Sequence, residues 1–490
     1  MKRPARTLAI AAVVLLALAG LAVARPGGGD SFSGGGGHGS GGGGGAGVAF
    51  ELIYWLIRLL IYYPQLALPL IAIVIGWLIW SAYKQRQNRD WDSGPPVELK
   101  RAVSANEVKR LDPEFSQVLF EDFAFRLFST AQRARGSAED IATVAPYVSQ
   151  PARDHLQKRQ PGVLSVVVGA MRVFRVEAPA SPVDTEGRPT RVRIGVEYEA
   201  NVSTAEHTYY SVETWLFGRD ATRLSKPPGS SKEFPCPNCG APWHSSETGT
   251  QKCSSCGEVV DNGRFDWIVE QISLASSDER PPTVTKDVPE RGTDLATYRA
   301  ADVDARWVEL EQDDPAITEQ NLMARLNLIY KELNKAWSSN DLRTVRGMVS
   351  DGLFDYLQYW VDTYKSQGMR NQLTDMGITH TIVAKVTRDK WYDAVTIRLW
   401  AKGKDFVIKN ETGKLVRGSK STDRPYTEYW TLIRSRSRKG APIATPNCPN
   451  CGAPLKITMA GECESCQTHI TAGEFDWVLS KIEQDDTYRG

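Results

Sequence analysis

Hydrophobic and polar positions form three successive patterns along the chain. Two apolar runs near the N-terminus, residues 8–22 and 66–83, contain no charged residue. From about residue 112 onward, apolar residues recur first at helical spacing and later at every second position. The runs are typical of segments that enter a membrane, whereas the periodic regions predict amphipathic helices and half-buried strands. Because one hydrophobic core rarely exceeds about 250–300 residues, a chain of 490 residues is expected to form several domains.

The first apolar run has the form of a secretory signal peptide. Lys and Arg residues precede it, and an Ala-Val-Ala cleavage motif follows at 22–24. We predict a signal peptide at residues 1–24, cleaved after Ala24, with an uncleaved signal anchor as the alternative. Residues 25–47 are mostly Gly and Ser and cannot bury apolar surface, so they should form a flexible tether.

The second apolar run predicts one transmembrane helix. Its 18 residues would span about 27 Å as an α-helix, close to the bilayer core of about 30 Å. The preceding stretch, 48–63, is rich in Tyr and Trp but carries Glu51 and Arg58, so an interfacial helix is expected and the membrane region covers 48–83. Lys and Arg residues follow in a basic juxtamembrane segment, 84–111. Positive charge stays on the cytoplasmic side, which predicts a single-pass protein of the cell (inner) membrane with cytoplasmic C-terminal domains.

The remainder of the chain shows a helix-then-strand pattern twice. Asp112-Pro113 and Asp314-Pro315 each place a capping residue before a proline suited to the first helical position. Further helices are predicted at 138–158 and 341–366, and alternating segments follow. This order predicts an α+β fold with two modules, in each of which helices pack on one face of an antiparallel sheet. The apolar stripes are Phe115, Leu119, Phe123, Leu127 and Leu322, Leu326, Ile329, Leu333; the alternating strand positions are Val192, Ile194, Val196, Tyr198 and Val395, Ile397, Leu399.

Four motifs recur in the same order and identify the two modules as copies of each other. These are Glu-x-Trp, Cys-Pro-Asn-Cys-Gly-Ala-Pro, Cys-x-x-Cys and Phe-Asp-Trp. Residues between the copies are rich in proline and charge, which is typical of a linker. The predicted domains are a first module at 112–232, a zinc ribbon at 233–275, a linker at 276–293, a second module at 294–440, and a second zinc ribbon with a tail at 441–490.

All eight cysteines lie in Cys-x-x-Cys pairs that combine into two groups of four. Thirteen residues separate the pairs of the first group and eleven those of the second, a spacing typical of zinc ribbons. We predict two structural Zn²⁺ ions, with iron in a rubredoxin-like site as the alternative; disulfides would need an oxidising compartment. Four protein ligands leave no open coordination position, so catalysis is not expected there. The predicted ligands are Cys236, Cys239, Cys253, Cys256, Cys448, Cys451, Cys463 and Cys466. Gly240 and Gly452 follow the first pairs, where a tight turn needs a positive φ.

The other polar and aromatic motifs are interpreted as structural. The Phe-Asp-Trp segments at 265–267 and 475–477 are expected to anchor each ribbon to its module, with peptide binding as the alternative. The basic run at 434–439 is read as a solvated loop or a lipid-facing patch. The histidines are expected at the surface or without an evident partner: Asp154-His155, His207, His244, His380 and His469.

Charge and motifs argue against an enzyme and against nucleic-acid binding. Lys and Arg number 59 against 58 Asp and Glu, which gives a net charge of +1 and no global basic excess. No phosphate-binding loop, nucleophile elbow or metalloprotease motif stands in a convincing context. The juxtamembrane basic residues would instead meet anionic lipid headgroups, at about 1 kcal/mol each.

The second copy resembles the Tim-forty-four-like domain family, whose namesake anchors the import motor at the mitochondrial inner membrane. A weaker echo in the first copy lies at 212–219. The resemblance implies a cone of curved antiparallel sheet with helices, similar to the nuclear-transport-factor-two superfamily, together with membrane association and partner binding rather than catalysis. It is carried by residues 336–342, 350–353, 371–375, 395–399, 413–419 and 427–434.

These observations predict a membrane-anchored, non-enzymatic scaffold that binds the lipid bilayer and a protein partner. Its expected role is in protein translocation or membrane-associated assembly. Two alternatives stay open. One is a small-molecule-binding domain or enzyme built on the cone fold, which would need a buried Asp or His with a perturbed pKa. The other is nucleic-acid binding by the zinc ribbons.

Overall fold

The computed structural model describes residues 100–227, 234–244, 250–279 and 293–440, and most of the second cysteine region. The predicted signal peptide, tether, interfacial helix and, apart from Gly76, transmembrane helix lie outside the described residues. Within the described part of the chain, none of the helices has the length and apolar character needed to cross a bilayer. The described residues of the second cysteine region are 447–448, 451–458, 461–467, 473, 475–485, 488 and 490.

The first module combines three helices with a four-stranded antiparallel sheet. The strand order is β1-β2-β3-β4, and Val196 at the centre of β2 pairs with Val173 of β1 and Trp215 of β3. The sheet buries one face against the helices, and Trp215 is completely buried in this core. The elements are α1 (Gln117–Ala134), α2 (Ala138–Ala142), α3 (Gln150–Gln157), β1 (Ser165–Glu177), β2 (Arg191–Ser203), β3 (Thr208–Asp220) and β4 (Ile268–Glu279).

The second module repeats this plan with longer strands. Its strands follow the order β5-β6-β8-β9, and the short β7 pairs with β6. The core between α5, α6 and the sheet contains Trp337, Trp360 and Trp430. The elements are α4 (Val303–Asp313), α5 (Glu319–Ser338), α6 (Asp351–Ser366), β5 (Met369–Arg388), β6 (Tyr392–Lys409), β7 (Leu415–Gly418), β8 (Arg424–Ser435) and β9 (Val478–Gln484). The prediction of a mixed α+β fold with antiparallel sheets is therefore confirmed.

The main helix of each module begins later than the Asp-Pro pairs suggest. Ser116 caps α1 and Thr318 caps α5, each by accepting a hydrogen bond from a backbone N–H three residues further on. Asp112 and Asp314 instead form turns, in which Oδ1 accepts the N–H of the residue two positions later. The prediction that these two aspartates cap helices is therefore wrong. The other carboxylate oxygen of each aspartate accepts a hydrogen bond from a buried arginine, Arg219 or Arg434.

The apolar stripes are confirmed in one copy and displaced in the other. Leu322, Leu326, Ile329 and Leu333 are all essentially inaccessible to solvent in α5. In α1 the buried stripe contains Phe120, Ala124, Leu127, Phe128 and Ala131, whereas the predicted Leu119 and Phe123 are half-buried. Phe115 lies in the turn before α1, so it does not set the phase of the helix. All seven predicted strand positions are buried.

Each cysteine region is an insertion within a sheet and does not follow a completed module. β4 begins after the first cysteine region and pairs with β3; β9 begins after the second and pairs with β8. The predicted ends of the modules, at 232 and 440, are therefore too early, and the predicted linker starts inside β4. The sequence analysis missed β4 because its apolar residues do not alternate beyond Ile272. Only the start of this strand is buried.

The first module also begins earlier than predicted. A 3-10 helix at Ala105–Arg110 buries Ala105 and Val108 in the first core. The N–H of Val103 donates to the carbonyl of Val173 in β1. Residues from about 100 to 111, assigned by sequence to the basic juxtamembrane segment, thus belong to the module.

The two modules contact each other through α1. Val118 packs on Ala394, Ile433 and Val478, which lie on the outer surface of the second sheet. The Glu121 carboxylate accepts a hydrogen bond from Lys481 Nζ at 2.6 Å. Further bonds join the tip of the β5–β6 hairpin to the turn before α1 and Tyr359 of α6 to β2. The first module therefore covers part of the second sheet.

Candidate metal centres

The first group of four cysteines brings its sulfurs together in the fold. The Sγ atoms of Cys236 and Cys256 lie 3.8 Å apart, and those of Cys239 and Cys253 lie 3.9 Å apart. All four ligand atoms lie within 4.8 Å of one another. Cys236 and Cys253 are buried, whereas Cys239 is exposed.

The second group repeats the same geometry. Cys448 and Cys466 approach to 3.6 Å, and Cys451 and Cys463 to 4.0 Å. The order of burial is also the same, with the first cysteine of each pair buried and Cys451 exposed. These two groups are the sets of potential metal ligands within the described residues.

The separations fit four thiolates around one ion. A tetrahedral site with Zn–S bonds of about 2.3 Å has sulfur–sulfur edges of about 3.8 Å. The observed edges of 3.6–4.0 Å match that value and are nearly twice a disulfide bond length of about 2.05 Å. Each group could therefore hold a metal ion, and none of the eight cysteines forms a disulfide bond in this structure.

The local backbone favours the thiolate form of one buried cysteine in each group, whereas burial raises the pKa of the Cys236 thiol. Burial acts to raise the pKa of the Cys253 thiol, but backbone N–H groups of Cys256 and Ser255 point at its sulfur and lower the pKa to about 6. Cys463 has the equivalent donors, the N–H groups of Cys466 and Ser465, and its pKa is also lowered. Hydrogen bonds to a thiolate favour the charged form, which is the form that ligates metals.

Each Cys-x-x-Cys turn closes on a residue with a positive φ. Gly240, Gly257 and Gly452 have φ values of 73°, 73° and 71°. The positive φ predicted at Gly240 and Gly452 is confirmed, and the N–H of each donates to the carbonyl of the first cysteine. The fourth turn ends on Gln467, whose φ is 62° although its side chain disfavours that conformation.

Buried polar contacts fix the first ribbon on its module. Arg153 of α3 and Asp261 form an ion pair at 2.9 Å, with side chains only 4% and 7% exposed. Trp243 Nε1 donates to the carbonyl of Ala142 at 3.0 Å, and the Tyr147 hydroxyl donates to the carbonyl of Pro235 at 2.9 Å. The ribbon therefore lies against α2 and α3.

The Phe-Asp-Trp segments connect each metal centre with a module core. Phe265 packs in the cluster with Cys236 and Cys253, while Trp267 belongs to the first module core. Phe475 and Trp477 divide in the same way between the second cysteine cluster and the second core. The predicted anchoring role is what the contacts show.

A buried Asp–Arg–Trp arrangement occurs in both copies and was missed by the sequence analysis. Asp112 Oδ2 accepts from Arg219 at 2.7 Å, and Arg219 lies 4.5 Å from the centre of the Trp267 ring. In the second copy, Asp314 pairs with Arg434 at 2.9 Å, and Arg434 faces Trp477 at 5.2 Å. The common residues of Asp-Pro, Glu-x-Trp-x₃-Arg and Phe-Asp-Trp could have indicated this contact.

The basic run at 434–439 is neutralised and does not form a free patch. Arg434 is buried against Asp314, while Arg436 and Lys439 both contact Asp313. These cations lower the pKa of Asp313, the hydrogen bond from Lys439 being the largest cause. The prediction of a solvated or lipid-facing run is therefore wrong for Arg434, whereas Lys439 is exposed to solvent beside its partner Asp313.

The Glu-x-Trp motifs are internal hydrogen bonds. Trp215 Nε1 donates to Glu213 at 3.1 Å, and Trp430 Nε1 donates to Glu428 at 2.8 Å. Glu213 also accepts from Gln132 at 2.9 Å and pairs with Arg159 at 2.6 Å. These carboxylates satisfy buried donors, so the repeated motif maintains the packing of each sheet.

The histidines are dispersed. His207 Nδ1 lies 2.7 Å from a carboxylate oxygen of Glu279, a partner that the sequence did not suggest. His155 contacts Arg159, and burial together with that cation lowers its pKa. His380 packs on Trp400, His244 is exposed, and His469 lies outside the described residues. No described histidine joins either cysteine group.

A family model matches part of the chain. It is described as the Tim44-like domain, the Tim-forty-four-like family of the sequence analysis, and it covers residues 305–443. The match therefore extends over the second module as far as the second cysteine region. No curated protein matches the chain. The Tim44-like match is consistent with a membrane-associated scaffold related to protein translocation.

Proposed function

We propose that the protein is a membrane-anchored, non-enzymatic scaffold, with two Tim44-like modules that each carry a zinc ribbon. The Tim44-like match at 305–443 is the observation on which this proposal depends. The first module is assigned as a second copy because it shares the sheet order, the Asp–Arg–Trp contact and the four-cysteine group. The cone-like shape of the family is proposed for both sheets.

The proposed placement combines the N-terminal sequence with the reduced cysteines. A transmembrane helix at 66–83, followed by positive charge, would leave residues 84–490 in the cytoplasm. Thiols stay reduced in that compartment, which is the condition for metal binding by both groups. The proposed metal is Zn²⁺, because four thiolates at these separations form a closed tetrahedral site.

The scaffold would act by tethering. The membrane helix holds the modules near the bilayer, and the contact through α1 holds them beside each other. The first ribbon lies against α2 and α3, and each ribbon has one exposed cysteine, Cys239 or Cys451. These surfaces are the proposed binding sites for a protein partner, with anionic headgroups meeting the basic residues next to the span.

The charge distribution supports this reading over the two alternatives. A cavity between α5 and β5 is lined by neither histidine nor carboxylate, the side chains that act most often in general acid–base catalysis. The basic run before the second ribbon is engaged with Asp313 and Asp314. Nucleic-acid binding needs uncompensated cations that can contact phosphates.

The test uses the full chain in native membranes. We expect it to stay in the membrane pellet after alkaline carbonate extraction, with the C-terminus cleaved by protease only in inside-out vesicles. Purified in detergent, it should contain two zinc ions per chain by elemental analysis, and a Cys253→Ser/Cys463→Ser variant should contain none or less than one. Cross-linking in membranes should then capture a protein partner.

Several outcomes would contradict the proposal. Release of the protein by carbonate would contradict the membrane anchor, and protection of the C-terminus in inside-out vesicles would contradict the proposed topology. Iron in place of zinc would change the identity of the metal but leave the rest of the proposal standing. Turnover of a substrate, or strong salt-dependent binding to DNA or RNA, would replace the scaffold with one of the two alternatives.

A further inference from the structure

A polar cavity lies between α5 and the start of β5. Its volume is about 460 Å³. Residues from one face of α5 form one wall, and residues of β5 form the other. We call it the basic groove; its lining residues are Lys331, Asn334, Lys335, Ser338, Ser339, Arg370, Gln372, Leu373 and Met376.

Three cations point to an anionic ligand. Lys331, Lys335 and Arg370 are exposed, and none forms an ion pair with a described residue. Lys331 and Lys335 are four residues apart on a helix, a spacing at which like charges repel. No acidic residue lines the groove, so the repulsion is not relieved from within it.

Asn334 supplies a second, independent observation. It is only 8% exposed, and its Nδ2 has no hydrogen-bond partner in the structure. A buried amide donor without an acceptor is costly, and native proteins rarely tolerate one without a ligand or water. Asn334 lines the groove, and because its Nδ2 atom is buried, the amide would have to turn toward an anion there to donate this bond.

The equivalent position in the first module, Gln132, has a hydrogen-bond partner within the protein. Gln132 lies 20 residues after Asp112, as Asn334 lies 20 residues after Asp314. Gln132 is fully buried, and its Nε2 donates to Glu213 at 2.9 Å. The first copy therefore satisfies this amide internally, whereas in the second copy the amide nitrogen is buried without a partner in a residue that lines the basic groove.

The two walls of the groove are held together by hydrogen bonds. Gln372 Nε2 donates to the carbonyl of Ser338 at 2.6 Å, and the N–H of Leu373 donates to Ser338 Oγ at 2.9 Å. These bonds fix α5 against β5 and keep the groove formed without a ligand. Leu373 and Met376 add an apolar surface beside the cations.

We propose that the basic groove binds a phosphate monoester, with Lys331, Lys335 and Arg370 around the phosphate and Asn334 donating to one of its oxygens. Cations and amide donors are the groups that bind phosphate oxygens in proteins. The apolar wall would contact the organic part of the ligand. A soluble phosphorylated compound and a phospholipid headgroup share this chemistry.

Calorimetric titration of the full, metal-loaded chain in detergent with inorganic phosphate tests the site, with chloride at equal ionic strength as the reference. We expect saturable binding, weakened at least about tenfold in Lys331→Gln/Lys335→Gln. Arg133→Gln/Lys158→Gln removes the same charge from the first module and should bind as the wild type. Asn334→Leu should also bind more weakly yet unfold at the same or a higher urea concentration, because it removes an unpaired buried amide.

A vesicle arm separates the two sources of phosphate. If the ligand is a phospholipid headgroup, phosphatidic acid in phosphatidylcholine vesicles should compete with phosphate, and the Lys331→Gln/Lys335→Gln change should abolish this competition. If the vesicles do not compete, the ligand is a soluble phosphorylated compound. The proposal is overturned if the wild type shows no saturable phosphate binding. It is also overturned if Lys331→Gln/Lys335→Gln or Asn334→Leu retains wild-type affinity, or if the first-module variant loses as much.

Discussion

The buried Asp112–Arg219 pair offers the sharpest test of how each module is stabilised. Asp112 Oδ2 accepts from Arg219 at 2.7 Å, from the N–H of Ser225 at 2.9 Å and from its hydroxyl at 2.7 Å. Both charged side chains are nearly inaccessible to solvent. Asp112→Asn keeps the shape of the side chain but removes the charge that compensates Arg219.

The expected loss follows from those contacts. Breaking a buried ion pair by neutralising one partner costs about 3–5 kcal/mol, because the other charge is left without compensation. The Trp267 ring lies 4.5 Å from the Arg219 guanidinium, and a desolvated cation–π contact retains up to about 2 kcal/mol. We therefore expect the low end, about 3 kcal/mol, which corresponds to a fall of about 1.5 M in the urea midpoint of the first module.

Tryptophan fluorescence during urea unfolding measures this fall, since Trp215 and Trp267 are buried in the first core. Asp184→Asn is the matched control: it removes an aspartate that pairs with Arg188 at the surface and should leave the midpoint unchanged. Asp112→Leu/Arg219→Met should recover part of the loss, since no charge then stays buried. An Asp112→Asn midpoint equal to that of the control, or a double variant less stable than Asp112→Asn, would refute the reasoning.

Three further outcomes are expected. Gln467→Gly should tighten metal binding at the second ribbon by about 0.5–1 kcal/mol in a chelator competition, because Gln467 adopts a φ of 62°; an unchanged or weaker affinity would contradict this. Asp313→Asn should lower the melting temperature at pH 6, and the difference should shrink as the pH falls below about 4, since the hydrogen bond from Lys439 lowers the pKa of Asp313 and stability from a depressed carboxyl pKa is lost on acidification; a difference independent of pH would exclude this cause. Glu121→Lys and Lys481→Glu should each loosen the contact between modules, as measured by hydrogen exchange in β9, and the double variant should restore it; loosening that adds up in the double variant would show that the pair does not act.

The sequence by itself was enough to identify the two candidate cysteine groups and the type of fold. Cys-x-x-Cys spacing is a local property, because a tight turn with a positive φ brings two sulfurs to one side of the chain. Two such turns need only be close in sequence to form a four-sulfur group, as they do at both sites. Alternation at Val192–Tyr198 and helical spacing at Leu322–Leu333 likewise reflect the period of one element, and burial follows that period.

The partners of charged groups were decided only by the tertiary structure. Asp112 and Asp314 looked like helix caps, and Arg434 looked like part of a free basic run. Each is buried in an ion pair with a residue more than 100 positions away. A local sequence pattern cannot reveal a contact between residues so far apart in the chain. Such a contact depends on how the hydrophobic cores bring strands and turns together.

The same limit explains the boundaries of the modules. Whether β4 and β9 return to their sheets is decided by Trp267 and Trp477, which enter the module cores after each cysteine region. The basic groove also depends on folding, since α5 and β5 are separated in sequence by α6. Its unpaired Asn334 becomes informative only because burial in the folded chain removes it from water.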